Sequence, residues 1–197
     1  MSRLAERGAH FSGQRVLPAI RKIRDVDDLV ASELHYVVFL DLHLGQVQAL
    51  AKLMRQHGKK ILLHADLIQG LKNDQYAAEF LCQQIRPDGL ISTRADVLKT
   101  AKQHEVLAIQ RLFLLDTIAL ETSFQLARKV EPDYIEVLPG VIPQYVDIVK
   151  QETGIPVIAG GLIKSSVEME QILTAGAEAI TTSRKELWSG AAPRTSF

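Results

Sequence analysis

The chain has 197 residues, 47% hydrophobic and 23% charged, with twelve Gly and seven Pro, which excludes a disordered or collagen-like chain and fits a compact soluble domain. Twenty-three Lys and Arg balance twenty-three Asp and Glu, so any electrostatic case for nucleic acid or membrane has to be local. The lone Cys82 excludes an internal disulfide, and no stretch approaches the roughly 18 apolar residues of a membrane span. The N-terminus also lacks the apolar core of a signal peptide, so a cytoplasmic protein without membrane partners is expected.

Eight short apolar runs follow one another: 16–20, 36–40, 60–64, 89–92, 107–111, 134–138, 155–159 and 179–182. Their continuous Val, Ile and Leu content predicts strands buried on both faces, as in a parallel sheet covered by helices. The starts are spaced by about 23 residues on average, one strand, one helix and two tight loops. Between the second and third runs, Val47, Leu50, Ala51 and Met54 form one helical stripe that Gly58 closes. Late in the chain, Val167, Met169, Ile172 and Leu173 form another before Gly176, and Asp116 and Ser166 are expected helix caps.

Eight equal βα steps predict a single-domain (βα)8 TIM-type barrel, a short one. The competing open doubly wound sheet would place a glycine-rich turn after its first strand, where Ala19-Ile20-Arg21-Lys22-Ile23 has none. The expected division is an N-terminal segment over 1–15, the barrel over 16–189 and a tail over 190–197. With a final helix barely a turn and a half long, the last flank needs cover from the N-terminal segment or a partner subunit, with Leu187 and Trp188 as apolar anchors.

Chemistry in such barrels lives at the C-terminal ends of the strands. Those ends carry Arg21, Asp41 with His43, His64 with Asp66, Ser92 with Thr93, Arg111, Glu136, Gly160 with Gly161, and Thr182 with Ser183. The pairing of Ala159-Gly160-Gly161-Leu162 after strand seven with Thr181-Thr182-Ser183 after strand eight, before a short helix, predicts a phosphate subsite, since backbone N–H groups can approach an oxyanion there. The wall and polyol-binding candidates are Asp41, His64, Asp66, Ser92, Arg111 and Glu136. The His64-x-Asp66 spacing also occurs in metal sites, but with only His43 as a further ligand, hydrogen bonding to a polyol is the preferred reading and no metal is expected. Glu136, between Ile135 and Val137, would need Arg111 as its partner if it points inward. No lysine lies in the C-terminal half of any strand, which disfavours a Schiff-base mechanism, while acid–base chemistry by Asp41, His64, Asp66 or Glu136 stays open.

Residues 1–24 carry six basic residues against one acidic. On the C-terminal face, Arg21, Lys22, Arg24, Lys72, Arg94, Lys164, Arg184 and Lys185 form a candidate ring for a polyanion, although no RNA-binding module signature is present.

The strings His64-Ala65-Asp66-Leu67-Ile68-Gln69-Gly70, Pro87-Asp88-Gly89-Leu90-Ile91-Ser92-Thr93-Arg94 and Ala108-Ile109-Gln110-Arg111-Leu112-Phe113 closely resemble the glycerol uptake operon antiterminator regulatory protein family. Pro132-Asp133-Tyr134-Ile135-Glu136-Val137-Leu138-Pro139-Gly140, Ile158-Ala159-Gly160-Gly161-Leu162-Ile163 and Thr181-Thr182-Ser183-Arg184-Lys185-Glu186-Leu187-Trp188 extend the resemblance over roughly residues 15–189. It implies a non-enzymatic barrel regulator that senses glycerol 3-phosphate as effector, needs no cofactor, and binds the leader mRNA of glycerol-catabolism genes to prevent termination. Carried over by position, Gly160, Gly161, Thr182 and Ser183 would hold the phosphate, and Asp66, Arg111 and Glu136 would contact the hydroxyls or form the pocket wall. The eight basic residues named above would then face RNA, with the loop 67–75 ordered by ligand, and a homo-oligomer is left open. The alternative is a phosphate-binding barrel enzyme, an isomerase, epimerase or glyceryl-phosphate transferase.

Overall fold

In the computed structural model, which describes residues 10–191, eight parallel strands close into a barrel in sequence order. They are β1 (Val16–Ile20), β2 (Tyr36–Phe39), β3 (Lys60–His64), β4 (Gly89–Ser92), β5 (Leu107–Phe113), β6 (Tyr134–Leu138), β7 (Val157–Gly160) and β8 (Ala179–Thr182). Between them run α1 (Val26–Ala31), α2 (Leu44–Gln56), α3 (Gln75–Phe80), α4 (Ala95–Gln103), α5 (Thr117–Val130), α6 (Pro143–Thr153) and α7 (Ser166–Thr174). A 3-10 helix, Lys185–Ala191, ends the described chain.

Three strands depart from the sequence reading. β2 ends at Phe39, one residue before Leu40. β5 runs on to Phe113 because Leu112 and Phe113 pair with Val137 and Leu138. β7 starts at Val157, since Pro156 has no N–H to give the ladder and the Ile155 N–H turns to Thr153 Oγ1 at 3.2 Å. Asp116 caps α5, its Oδ1 accepting from the Ala119 N–H at 2.8 Å. The cap of α7 is Ser165 rather than Ser166: it forms a capping box with Glu168, which the Ser166 reading put one residue late. In consequence Val167 sits in the first turn, 65% exposed, and the buried stripe is Met169, Ile172 and Leu173. On α2, Val47, Leu50, Ala51 and Met54 are all buried.

Alternation along the strands sorts the core into two layers. One set packs outward against the helices. The other fills the barrel axis: Leu17 and Ala19, Tyr36 and Val38, Leu62, Ile91, Ile109, Tyr134, Ile158 and Ala179. Phe11 closes the N-terminal mouth, its ring 5.1 Å from that of Tyr36 and 4.8 Å from that of Tyr134. The Gln14 amide fastens this plug, with Nε2 donating to the carbonyls of Val16 and Tyr36 and Oε1 accepting from the N–H groups of His35 and Tyr36. At the seam between β8 and β1, Leu187 and Trp188 are buried, and Trp188 Nε1 donates to the Thr182 carbonyl at 3.2 Å. Of the expected N-terminal segment over 1–15 and tail over 190–197, residues 1–9 and 192–197 lie outside the described residues.

Candidate functional site

Because the strands are parallel, all their C-terminal ends open on one face, and there a cavity of about 230 Å³ enters the barrel. It is smaller than the pockets that take drug-sized ligands, so it suits a small molecule. Its floor is Glu136, 4% exposed, with Arg111 beside it on the paired strand. Its wall includes Gly161, Leu162, Thr181, Thr182 and Ser183, and three cations, Arg21, Lys164 and Arg184, stand at its rim. A larger hollow of about 650 Å³ lies outside the barrel between α6 and α7, with Glu170 as the one ionisable lining group among the described residues, and has none of this convergence.

The floor is a connected polar layer. Glu136 Oε1 accepts from Thr181 Oγ1 at 2.7 Å, while Oε2 accepts no hydrogen bond and lies 3.8 Å from Arg111 Nε. Arg111 Nη1 donates to His64 Nε2. That interaction assigns the acceptor role to Nε2 and leaves the proton on Nδ1, which has no partner. Burial, with the Arg111 charge next, pushes the His64 imidazole down to about 3, so it is neutral at physiological pH. Burial pushes the Glu136 carboxyl up, against the opposing pull of Arg111 and Thr181. Gly160 makes this layer fit: a Cβ there would fall 2.1 Å from Thr181 Oγ1.

These shifts predict a pH dependence of stability. The unfolded chain protonates His64 near 6.5 whereas the native chain resists to about 3, so His64's contribution is full above 6.5 and is lost as pH falls toward 3. At pH 5 that loss is about 2 kcal/mol. Glu136 acts in the opposite sense, since a raised native pKa favours folding at low pH and loses that contribution as pH rises through it. Urea unfolding at pH 7 and 5 should therefore show a steep fall for the native chain and a shallower one for His64→Gln; equal slopes would mean that His64 is not the group responsible.

The structure gathers some sequence candidates at the cavity and sends others elsewhere. Arg111, Glu136, Gly161, Thr182 and Ser183 line it; Gly160 stands behind the wall as the seat of Thr181. His64 supports the floor from beneath. Asp66 and Ser92 are not on the lining: Asp66 accepts from Ser92 Oγ (2.5 Å), the Thr93 N–H (2.7 Å) and Thr93 Oγ1 (2.9 Å), tying the β3 and β4 loops together. Asp41 is exposed and accepts from Gln69 Nε2 at 2.7 Å. The 67–75 loop is already fastened at Gln69, whose N–H donates to Leu42 O and whose carbonyl accepts from the Leu44 N–H. Arg21, Lys22, Arg24, Lys164 and Arg184 are exposed on the adjacent ends of β7, β8 and β1, while Lys72 and Arg94 belong to the β3 and β4 loops. Lys185 is engaged by Asp25 (2.6 Å) and Asp28 (2.5 Å). Thr181 and Leu162, quoted in the strings that carry the phosphate signal, line the cavity as well; what sequence reading missed is the hydrogen bond from Thr181 to Glu136.

Fold and site together define a single-domain (βα)8 barrel with a small polar cavity at the C-terminal ends of its strands. Residues 16–188 match the family described as glycerol-3-phosphate responsive antiterminator, and the chain belongs to that family. Its role is accordingly that of an antiterminator regulator. It is similar to the glycerol uptake operon antiterminator regulatory protein of Listeria monocytogenes, at 50% identity and a TM-score of 0.90 over 92% of this chain and 98% of that one. The glycerol uptake operon antiterminator-related protein of Thermotoga maritima superposes with a TM-score of 0.79 at 25% identity, over 89% and 98% of the two chains. An uncharacterized Escherichia coli K12 protein, YgcP, is 30% identical over 87% of this chain and 92% of its own. No helix among the described residues is long and apolar enough to cross a membrane.

Proposed function

We propose that the chain is a cytoplasmic regulator that takes glycerol 3-phosphate into the barrel mouth and, when loaded, binds the leader mRNA of glycerol-catabolism genes so that transcription continues. The observation that carries this reading, in a chain of this family, is the polarity of the cavity: one buried carboxylate at the floor and cations at the rim. The phosphate belongs beside Gly161, Thr182, Ser183 and Arg184, and the hydroxyls toward Arg111 and Glu136. An amine nucleophile is poorly supported, since the one lysine on the cavity wall among the described residues, Lys164, is exposed rather than desolvated.

The RNA surface follows from where the cations crowd and which of them is already neutralised. Arg21, Lys22, Arg24, Lys164 and Arg184 share three neighbouring strand ends, whereas Lys185 spends its charge on Asp25 and Asp28. RNA therefore tracks the β7–β8–β1 sector, with Lys72 and Arg94 at its margin. The test is a titration with the chain's own glycerol-operon leader RNA across a salt series, with and without saturating glycerol 3-phosphate. Tighter binding with ligand is expected. An Arg21→Ala, Lys22→Ala, Arg24→Ala triple variant should weaken RNA binding and lower the salt slope by about one for each phosphate that is no longer neutralised, with smaller changes for Lys72→Ala with Arg94→Ala. Affinity at the non-specific level in both conditions would overturn direct RNA recognition.

A further inference from the structure

We infer that the floor of the mouth reads the oxidation level of its ligand: Glu136 accepts a hydrogen bond from the middle-carbon hydroxyl of a three-carbon phosphate and rejects the corresponding ketone. This rests on the ligand reading proposed above and deepens it.

Glu136 is a buried carboxylate with only one of its oxygens engaged. Thr181 donates to Oε1, so that oxygen already has one hydrogen bond made. The other oxygen, Oε2, faces Arg111 Nε across 3.8 Å, too far for a hydrogen bond, and neither atom has a hydrogen-bond partner. A buried acceptor and a buried donor are thus left side by side at the floor of a cavity. Leaving such groups unmade is destabilising, which makes them a template for what the cavity holds.

A hydroxyl completes both, donating its proton to Oε2 while accepting from Arg111 Nε. A carbonyl completes only one: it accepts from Arg111 but sets its lone pairs against those of the carboxylate. Sites built to hydrogen-bond a hydroxyl discriminate strongly against an analogue that lacks it, because the protein group is then buried without a partner. The middle carbon is singled out by chain geometry. Thr181, which grips Glu136, immediately precedes Thr182 on the phosphate side of the mouth, so the carboxylate and the phosphate subsite are close neighbours. That spacing favours the carbon next to the phosphate-bearing one over the far end of the molecule.

The experiment is calorimetric titration of the full chain at pH 8 with three ligands: glycerol 3-phosphate, dihydroxyacetone phosphate and inorganic phosphate. The ketone should bind on the order of 10–100-fold more weakly than the polyol, the loss expected for one hydrogen bond to a charged group. Glu136→Gln keeps the shape and supplies an amide N–H that a carbonyl can accept, so the ratio should shrink toward one. Thr181→Val, which frees the grip on Glu136, should shrink it partway. Equal affinities of the two triose phosphates for the native chain would overturn the inference and leave the ligand reading standing, as would a ratio unchanged in Glu136→Gln. If glycerol 3-phosphate bound no better than inorganic phosphate, the ligand reading itself would fall and the inference with it.

Discussion

Arg111→Met should lose about 3 kcal/mol of unfolding free energy in urea at pH 7, and most of it should return when Glu136→Met is added. The guanidinium is the cation beside Glu136 and also the donor to His64, so its removal leaves a buried carboxylate with the Thr181 hydrogen bond but no counter-charge, and a buried imidazole without its donor. Removing one partner of a buried pair typically costs about 3–5 kcal/mol, whereas replacing both by apolar groups of like size is often close to neutral. Arg111 retains 15% side-chain exposure, which places the expectation at the lower end. The four corners of the cycle measure the coupling directly. A coupling below about 0.5 kcal/mol would show that the two side chains are independently solvated through the mouth.

Gly160→Ala is the second large effect, expected at about 2–3 kcal/mol together with loss of ligand binding. The new methyl would lie 2.1 Å from Thr181 Oγ1 and 3.1 Å from Glu136 Oε1, so Thr181 has to turn away and Glu136 loses its one hydrogen bond. The backbone there has no positive φ, so the penalty is steric rather than conformational. A Thr181→Ala background removes the clashing oxygen, and in it the added methyl should be tolerated far better. Equal cost in both backgrounds would sink this account of why glycine stands at 160.

The barrel was legible because a parallel strand covered on both faces must be continuously apolar, and eight such runs at even spacing leave little else to build. The site was legible only in part, and the reason is the two-residue period of a strand. A strand end taken as a whole neighbourhood mixes two faces, and only every second residue points to the axis. Two residues beyond six of the interior apolar residues, Ala19, Leu62, Ile109, Tyr134, Ile158 and Ala179, lie Arg21, His64, Arg111, Glu136, Gly160 and Thr181. That parity would have picked Thr181 as Glu136's partner and given Gly160 its steric task. Asp41 and Asp66 lie in loops beyond the last paired residues, where the period no longer applies, and their carboxylates were free to fasten loops instead. The shift of the α7 cap from Ser166 to Ser165 has a similar origin: two adjacent serines both satisfy the residue preference, and the position of Glu168 three residues on decides between them.

Phe11 in the N-terminal mouth gives the barrel a direction of traffic. A molecule resting on Glu136 enters and leaves past Arg21, Lys164 and Arg184, the cations assigned above to RNA. If RNA sits on those residues as proposed, it would roof the chamber, so loading would have to precede docking and unloading would have to wait for departure. Linkage already requires each partner to tighten the other equally if the two are coupled. With the N-terminal mouth plugged, the proposed assembly would gain a temporal element, in which the effector's residence time would be set by the lifetime of the ribonucleoprotein and an assembled complex would outlast a brief dip in effector concentration.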